Sequence, residues 1–313
     1  MTRAPVTAII PAYNAAEYVG DAIRSVLEQT LIPESVLVID DGSTDDTPRV
    51  LETFGDRIRV IRQENRGLPG ARNTGIRAAT TPLLGFLDAD DAWLPDMVAE
   101  QVSEFAAQPT TGLCFTDLHD CDHRLEPQGT RGYRRRCAES VFEELYLDAF
   151  PMPPSTVFVR REVFDTAGLF DESMRMKQDI ECWLRIAMHS RVSCLDRPLL
   201  LRRTHGASIT QSADPARNMA FELLVFEKCG RAAEEHGVPL PMTVEDRQTV
   251  LLRRRLRDFL RYGDRTAADC YRNALASRRQ LRPADRLAHA WGSLGVSVRR
   301  AASPLSRRLR GRR

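Results

Sequence analysis

Between Val6 and Thr116 the chain alternates apolar runs of strand length with amphipathic segments of helix length. That alternation constrains the fold more than any other feature of the sequence, because it is the pattern of repeated βα units around a largely parallel sheet. The runs Val6–Ala12, Ser35–Ile39, Ile58–Arg62, Leu83–Leu87 and Leu113–Thr116 predict strands. Between the first two, Asn14 followed by Glu17 is a helix-start signal, and Tyr18, Val19, Ala22, Ile23, Val26 and Leu27 recur at helical spacing on one face. Residues 118–155, rich in Arg, Pro and Gly, predict irregular structure. Thr156–Arg160 predicts another strand and Ile180–Met188 a short helix. From Pro215 onward the signals are helical, with Asp258–Ala276 reading as a hairpin that turns at Gly263. No internal repeat of solenoid period is present.

Composition decides what surrounds this core. With 313 residues, 42% hydrophobic and 28% charged, the chain has the balance of a soluble globular protein, and disorder and collagen-like repeats are excluded. The longest apolar runs fall far short of the roughly 18 residues that span a bilayer, and the N-terminus lacks the long apolar region of a secretory signal. Seven cysteines are an odd number and none forms a CxxC pair, so reduced thiols in a cytosol are expected. Charge is uneven: residues 211–313 hold 21 Arg, one Lys and 11 acids, whereas the residues before them are net acidic. The expected division is therefore a net-acidic domain over 1–210, with halves at 1–117 and 118–210, and a basic helical region over 211–313.

After Asp285 the chain carries eight arginines and no acid. Leu287, Trp291, Leu294, Val298, Ala302, Leu305 and Leu309 recur at steps of three and four, the pattern of an interfacial amphipathic helix over 286–313 on an anionic membrane surface. A helix docked on the acidic domain is the competing account, and Pro304 interrupts either one. No base-reading or stacking module is visible, so no nucleic acid partner is expected. The expected location is the cytoplasm, peripheral to the inner face of the cell membrane.

In open α/β sheets ligands sit outside the carboxyl ends of the strands, and four such ends carry polar clusters here. Asp88 and Asp90 follow the fourth strand; crowded carboxylates there suit Mg²⁺ or Mn²⁺ bridging a diphosphate, or else form a solvated turn capping the next helix. Phosphatases with an aspartyl-phosphate nucleophile open on a similar Asp-x-Asp, but they need Thr or Val where this chain has Ala92. Gly67-Leu-Pro-Gly-Ala-Arg-Asn73 opens a helix, where backbone N–H groups can approach an anion and Arg72 can add a planar donor, unless it is simply a surface residue. Asp40 and Asp41 could accept from a base N–H while Tyr13 offers a ring for stacking; an ordinary Asp-Gly turn and a partly buried tyrosine fit equally well.

In order and spacing these segments resemble the inverting family 2 glycosyltransferases of GT-A fold. The matching strings are Val6-Thr-Ala-Ile-Ile-Pro-Ala-Tyr-Asn14, Val38-Ile-Asp-Asp-Gly-Ser-Thr-Asp45, Asn65-Arg-Gly-Leu-Pro-Gly-Ala-Arg-Asn73 and Phe86-Leu-Asp-Ala-Asp-Asp91. The resemblance runs from Val6 to His205. It implies an α/β fold with a mixed, mainly parallel sheet flanked by helices, here with a C-terminal helical extension. It also implies a nucleotide-sugar site of Pro11, Tyr13, Asp40, Asp41, Gly67, Arg72, Asp88, Arg203 and His205. In that site Tyr13 stacks on the base, Asp41 bonds it with Asp40 close by, and Arg72 lies near the diphosphate. Asp88 and Asp90 form the metal motif, with Asp90 touching the cation most directly.

Two later segments extend the resemblance. Lys177-Gln-Asp-Ile-Glu-Cys-Trp-Leu-Arg185 matches the motif in which Asp179 is the catalytic base, although the residue before it, often Glu in the family, is Gln178. Without the resemblance, Asp179 reads as a favourable charge at a helix N-terminus. Arg203-Thr-His-Gly-Ala-Ser208 resembles the loop that closes over the diphosphate, against which a surface His205 is a fair rival.

The reaction implied is a single displacement: Asp179 takes the proton of an acceptor hydroxyl, which attacks the anomeric carbon opposite the leaving nucleotide. A UDP-sugar is the first choice of donor, a dTDP-sugar the second and GDP-mannose the third. A glycan or lipid-linked acceptor in cell-surface polysaccharide synthesis would meet the stretch from His119 to Pro154. The rival from another class is a non-catalytic nucleotide-sugar-binding scaffold; Asp88, Asp90 and Asp179 together argue against it.

Overall fold

The computed structural model describes residues 3–132, 141–148, 152–204 and 214–278. It divides into two compact units, residues 1–211 with 228–241 and residues 212–227 with 242–313.

The first unit is built on one nine-stranded sheet: β1 (Ala4–Ala12), β2 (Pro33–Asp40), β3 (Arg59–Arg62), β4 (Leu83–Phe86), β5 (Ala92–Trp93), β6 (Thr111–Cys121), β7 (Pro127–Arg131), β8 (Val157–Arg160) and β9 (Arg191–Arg203). The strand order is β3-β2-β1-β4-β8-β6-β9-β5, and β7 pairs with β6. The first four strands are mutually parallel, with Ile9 opposite both Leu37 of β2 and Phe86 of β4. β8 then runs antiparallel between β4 and β6, so the sheet is mixed. Because β1 has a neighbour on each side, the chain leaves the ends of β1, β2 and β4 in different directions and opens a crevice there.

The helices are α1 (Val19–Leu27), α2 (Thr47–Glu52), α3 (Gly67–Ala78), α4 (Met97–Ala107), α5 (Val141–Asp148), α6 (Val163–Ala167) and α7 (Gln178–His189). α1 buries Val19, Ala22, Ile23 and Val26, the face read from the sequence. Its start differs from the expectation. Tyr18 occupies the N-cap, and Asn14, at φ +48°, faces away to bind the turn after β2: its amide donates to Ser43 Oγ at 3.0 Å and its Oδ1 accepts from the Thr44 amide at 2.8 Å. α3 packs on β1, and a β-carbon at Gly75 would stand 2.4 Å from Ile9 Cγ2. A glycine is therefore what lets this helix close on the strand.

Much of what is described of the stretch expected to be irregular, 118–155, is regular. β6 continues to Cys121 and turns back as β7, and Val141–Asp148 is α5. The polar residues that hid this extension, Asp117 to Asp120, are held in the strand by pairing with β9 from Asp117–Pro198 to Cys121–Arg203. β9 escaped the sequence reading for the same reason, since Arg191, Asp196, Arg197 and Pro198 interrupt its apolar pattern.

In the second unit the described residues are helical. α8 (Pro215–Glu235) begins in it, and α9 (Val244–Tyr262) and α10 (Arg265–Ser277) form the hairpin expected at Gly263. Gly263 sits at φ +81° with its N–H on the Leu260 carbonyl, and Asp264 caps α10 through the Ala267 amide, so the turn is specified by its residues. Leu252, Leu256, Ala268, Tyr271 and Leu275 form its core. Among the described residues no helix is long and apolar enough to cross a membrane. His205 and the stripe from Leu287 to Leu309 lie outside the described residues.

Candidate active site

The carboxyl ends of β1, β2 and β4 border a cavity of about 820 Å³, a size suited to a small-molecule ligand, with Pro11, Tyr13, Asp41, Gly67, Asp88 and Asp90 in its wall. The loop after β1 is pinned from below. The Ala15 amide donates to Thr47 Oγ1 at 2.8 Å and the Ala16 amide to Asp45 Oδ2 at 3.1 Å. Burial pushes the Asp45 carboxyl up, but the Thr47 hydroxyl and amide and the Ala16 amide outweigh it and hold the carboxyl below its ordinary range. On this fixed loop Tyr13 stands 51% exposed at the cavity wall, a free face for stacking.

The two acids after β2 have different places. Asp40 is buried and closes the turn, accepting from the Ser43 amide at 2.9 Å and lying 3.4 Å from the Arg62 guanidinium; it is not part of the cavity wall. Asp41 is 2% exposed yet reaches that wall. Its Oδ1 accepts from Gln63 Nε2 at 2.7 Å and the Arg66 amide at 2.9 Å, and its Oδ2 accepts from the Gly67 amide at 2.8 Å. A carboxylate thus satisfies the first amides of α3, whose start at Gly67 requires φ +77°.

After β4, Asp88 and Asp90 both face the cavity. Arg72 lies behind Asp88: it is 1% exposed, donates from Nη2 to Asp88 Oδ1 at 2.6 Å and rests 5.5 Å from the Phe170 ring centroid. Among the described residues its Nε and Nη1 have no hydrogen-bond partner. The sequence suggests Arg72 beside a diphosphate, and the structure places it where it orients Asp88.

Arg203, at the end of β9, is likewise drawn inward. Its Nε donates to the Asp90 carbonyl at 2.8 Å, its Nη2 to Asp21 at 2.9 Å and its Nη1 to the His123 carbonyl, and its guanidinium stacks 4.6 Å from the Tyr18 ring. The residue that joins these parts is Asp91, to which the sequence reading gave no role. Asp91 accepts from Ser155 Oγ at 2.6 Å and from the Arg203 amide at 3.0 Å, while Ser155 Oγ also accepts the Asp88 amide at 3.0 Å. Burial, and then the charges of Asp90 and Asp88, push the Asp91 carboxyl well up, against the Ser155 hydroxyl and the Arg203 amide. Its only signal in the sequence is its place as the third acid of the string.

Asp179 stands half-buried in the first turn of α7 and is not part of the cavity wall. The helix starts from Lys177 at φ +60°, a left-handed conformation that costs a lysine on the order of 1–2 kcal/mol. The preceding segment is tied to α3: Asn73 Nδ2 donates to the Phe170 carbonyl at 2.8 Å and to Glu172 at 3.0 Å, and Arg66 pairs with Glu172 at 2.7 Å. The Asn73 bond, working with Arg66 against burial, holds the Glu172 carboxyl below its ordinary range. No group of three or more His, Cys, Asp or Glu side chains forms a metal cage among the described residues. Asp88 and Asp90 are two carboxylates on one wall, which suits a hard cation that keeps water and ligand oxygens in its other positions.

The family model for Glycosyl transferase family 2 matches residues 7–168, which takes in the cavity wall from Pro11 to Asp90. The chain belongs to this family. Among relatives, an uncharacterised glycosyltransferase of Rickettsia prowazekii is 28% identical over 66% of this chain, and the match spans 66% of that relative's length, just under two thirds. A putative teichuronic acid biosynthesis glycosyltransferase, TuaG of Bacillus subtilis, is 30% identical over 58% of this chain and 71% of its own. The fold is shared with S. aureus TarS residues 1–349 in complex with UDP-GlcNAc, at TM-score 0.59 and 18% identity over 88% of this chain and 91% of that one. It is shared as well with the mannosyltransferase PcManGT of Pyrobaculum calidifontis in complex with GDP-Man and Mn²⁺, at TM-score 0.56 and 20% identity over 94% and 85%. The mixed sheet flanked by helices is the GT-A arrangement expected from the sequence.

Proposed function

We propose that this protein is an inverting glycosyltransferase that moves a sugar from a nucleoside diphosphate donor, first of all a UDP-sugar, to a hydroxyl of a glycan or lipid-linked acceptor in cell-surface polysaccharide synthesis. The observation that carries the reading is the cavity itself, which gathers an exposed tyrosine ring, a carboxylate acceptor at Asp41 and the acid pair Asp88 and Asp90 around the ends of three parallel strands. Support for the donor class comes from the nucleotide sugars bound by TarS and PcManGT, and for the pathway class from the name of TuaG.

In this reading Tyr13 stacks on the base and Asp41 accepts its N–H. Asp88 and Asp90 hold Mg²⁺ or Mn²⁺, which when bound neutralises charge on the departing diphosphate. Arg72 acts through Asp88, and Arg203 through the backbone of Asp90, by fixing the loop that presents both acids. Asp179 accepts the proton of the acceptor hydroxyl as its oxygen attacks the anomeric carbon from the side opposite the diphosphate, so the anomeric centre inverts. The basic stretch 286–313 would hold the enzyme reversibly beside an anionic membrane carrying the acceptor, on the argument of its charge.

Two substitutions test the assignment. Asp90→Ala should abolish sugar release and remove the Mn²⁺ dependence of UDP binding while unfolding remains cooperative; full activity in EDTA would refute the metal role. Asp179→Asn should lower turnover by about 10² to 10⁴ with donor affinity nearly constant, and equal losses in both would give Asp179 a structural role instead.

A further inference from the structure

Beside Gly67 of the cavity wall stands a cation, Arg175, that the proposed reaction does not use. Around the site the other arginines are engaged: Arg62 with Asp40, Arg66 with Glu172, Arg72 with Asp88 and Arg203 with Asp21. Arg175, on the segment leading into α7, is exposed and makes no hydrogen bond or ion pair among the described residues. Its guanidinium lies against Gly67, where a β-carbon would stand only 2.8 Å from Arg175 Nη1.

Gly67 also joins this cation to Asp41. Both Gly67 and Asp41 are part of the cavity wall, and the Gly67 amide donates to Asp41 Oδ2. Oδ1 already accepts two bonds, from Gln63 and Arg66, whereas Oδ2 accepts this one. A carboxylate oxygen offers two lone pairs, so Oδ2 retains one acceptor position. A group that can only accept and a group that can only donate therefore meet beside the same glycine.

We infer that Arg175 and Asp41 together read the edge of the donor's base, Asp41 accepting a ring N–H and Arg175 donating to the carbonyl next to it. The inference rests on the nucleotide-sugar reading above and adds to it a residue and a selection rule. Uracil and thymine present N3–H beside O4, and guanine presents N1–H beside O6. Cytosine and adenine present a bare ring nitrogen beside an amino group. They would set a lone pair against the carboxylate and N–H against the guanidinium, so both contacts turn from attractive to repulsive. Sites that hydrogen-bond their substrate reject such analogues strongly because their own polar groups are left unpaired. A guanidinium serving the diphosphate instead would be indifferent to the base, because every donor carries the same phosphates.

Calorimetric titration of UDP, CDP, GDP and ADP into the full chain with Mn²⁺, for the wild type and Arg175→Ala, separates these cases. Arg175 is exposed, so its replacement leaves the core untouched. The wild type should bind UDP or GDP at least about tenfold more tightly than the matching amino nucleotide, CDP or ADP. Arg175→Ala should weaken the preferred keto nucleotide about tenfold and leave CDP and ADP unchanged, so that the preference collapses. An equal loss for keto and amino nucleotides would place the guanidinium on the phosphates and overturn the inference, as would unchanged UDP and GDP affinities or a wild type that prefers CDP or ADP. A wild type that binds none of the four would instead overturn the nucleotide-sugar reading, and the base-reading pair with it.

Discussion

Ser155→Ala removes a hydroxyl that works in two directions at the acid loop. Ser155 is fully buried; its Oγ–H donates to Asp91 at 2.6 Å and its Oγ accepts the Asp88 amide at 3.0 Å. A hydrogen bond to a carboxylate contributes about 1.5–3 kcal/mol, and an amide left without an acceptor costs about 1–3 kcal/mol. The second figure is at its low end here, because the Asp88 side chain is 27% exposed and water can reach the turn. The expected loss is therefore about 2.5–4 kcal/mol, read as a shift of the urea midpoint at constant m-value. The Trp93 indole bonds the carbonyl of residue 155 and not the hydroxyl, so that packing contact survives and the loss isolates the loop. Because the freed Asp88 backbone no longer fixes its carboxylate, the Mn²⁺ concentration needed for half-maximal activity should rise as well. A stability change under about 0.5 kcal/mol with an unaltered Mn²⁺ requirement would refute the view that Ser155 and Asp91 hold the metal motif in place.

Gly75→Ala should destabilise by about 1–3 kcal/mol by thermal unfolding, although alanine is the better helix former, because the new methyl would meet Ile9 Cγ2 at 2.4 Å; a gain in stability would show that α3 can lift off β1. Lys228→Met should act through Asp171, its partner at 2.5 Å. Burial raises the Asp171 carboxyl, but Lys228 and Ser173 outweigh it and lower it from 3.8 to about 2. A depressed folded value means the stabilisation is complete above pH 3.8 and is lost as pH falls toward about 2. Discounted for solvent screening, the variant should therefore be about 1–2 kcal/mol less stable at pH 7, and the gap should narrow below pH 4 and close as pH approaches about 2; a gap undiminished there would place the effect in packing.

What the sequence made legible was the part in which each element carries its own signal. β1, β2 and β4 are apolar runs that end in polar clusters, and a parallel sheet collects such ends on one side, so Tyr13, Asp41, Asp88 and Asp90 could be gathered before any coordinates existed. What escaped depends on residues distant in the chain. Arg203 turns inward because Asp21 lies 182 positions earlier, and Arg72 is buried because Asp88 and Phe170 converge on it. Asn14 looked like a helix cap, but its side-chain oxygen goes to the Thr44 amide instead, while its own backbone amide donates to Ser43 Oγ. β9 and the end of β6 are polar strands that exist through their mutual pairing. Arg175 belongs to no motif, and its place became visible only once Gly67 was beside it.

The central claim is that the cavity at the ends of β1, β2 and β4 binds a nucleotide sugar through its base, its diphosphate and a cation at Asp88 and Asp90. The most direct measurement is release of free nucleoside diphosphate from a panel of UDP-, dTDP- and GDP-sugars, with Mn²⁺ and with EDTA. The account predicts release from one donor, a UDP-sugar first, at a rate that requires the metal and vanishes in Asp90→Ala. Absence of release together with absence of binding for every donor, or equal release in EDTA, would contradict it.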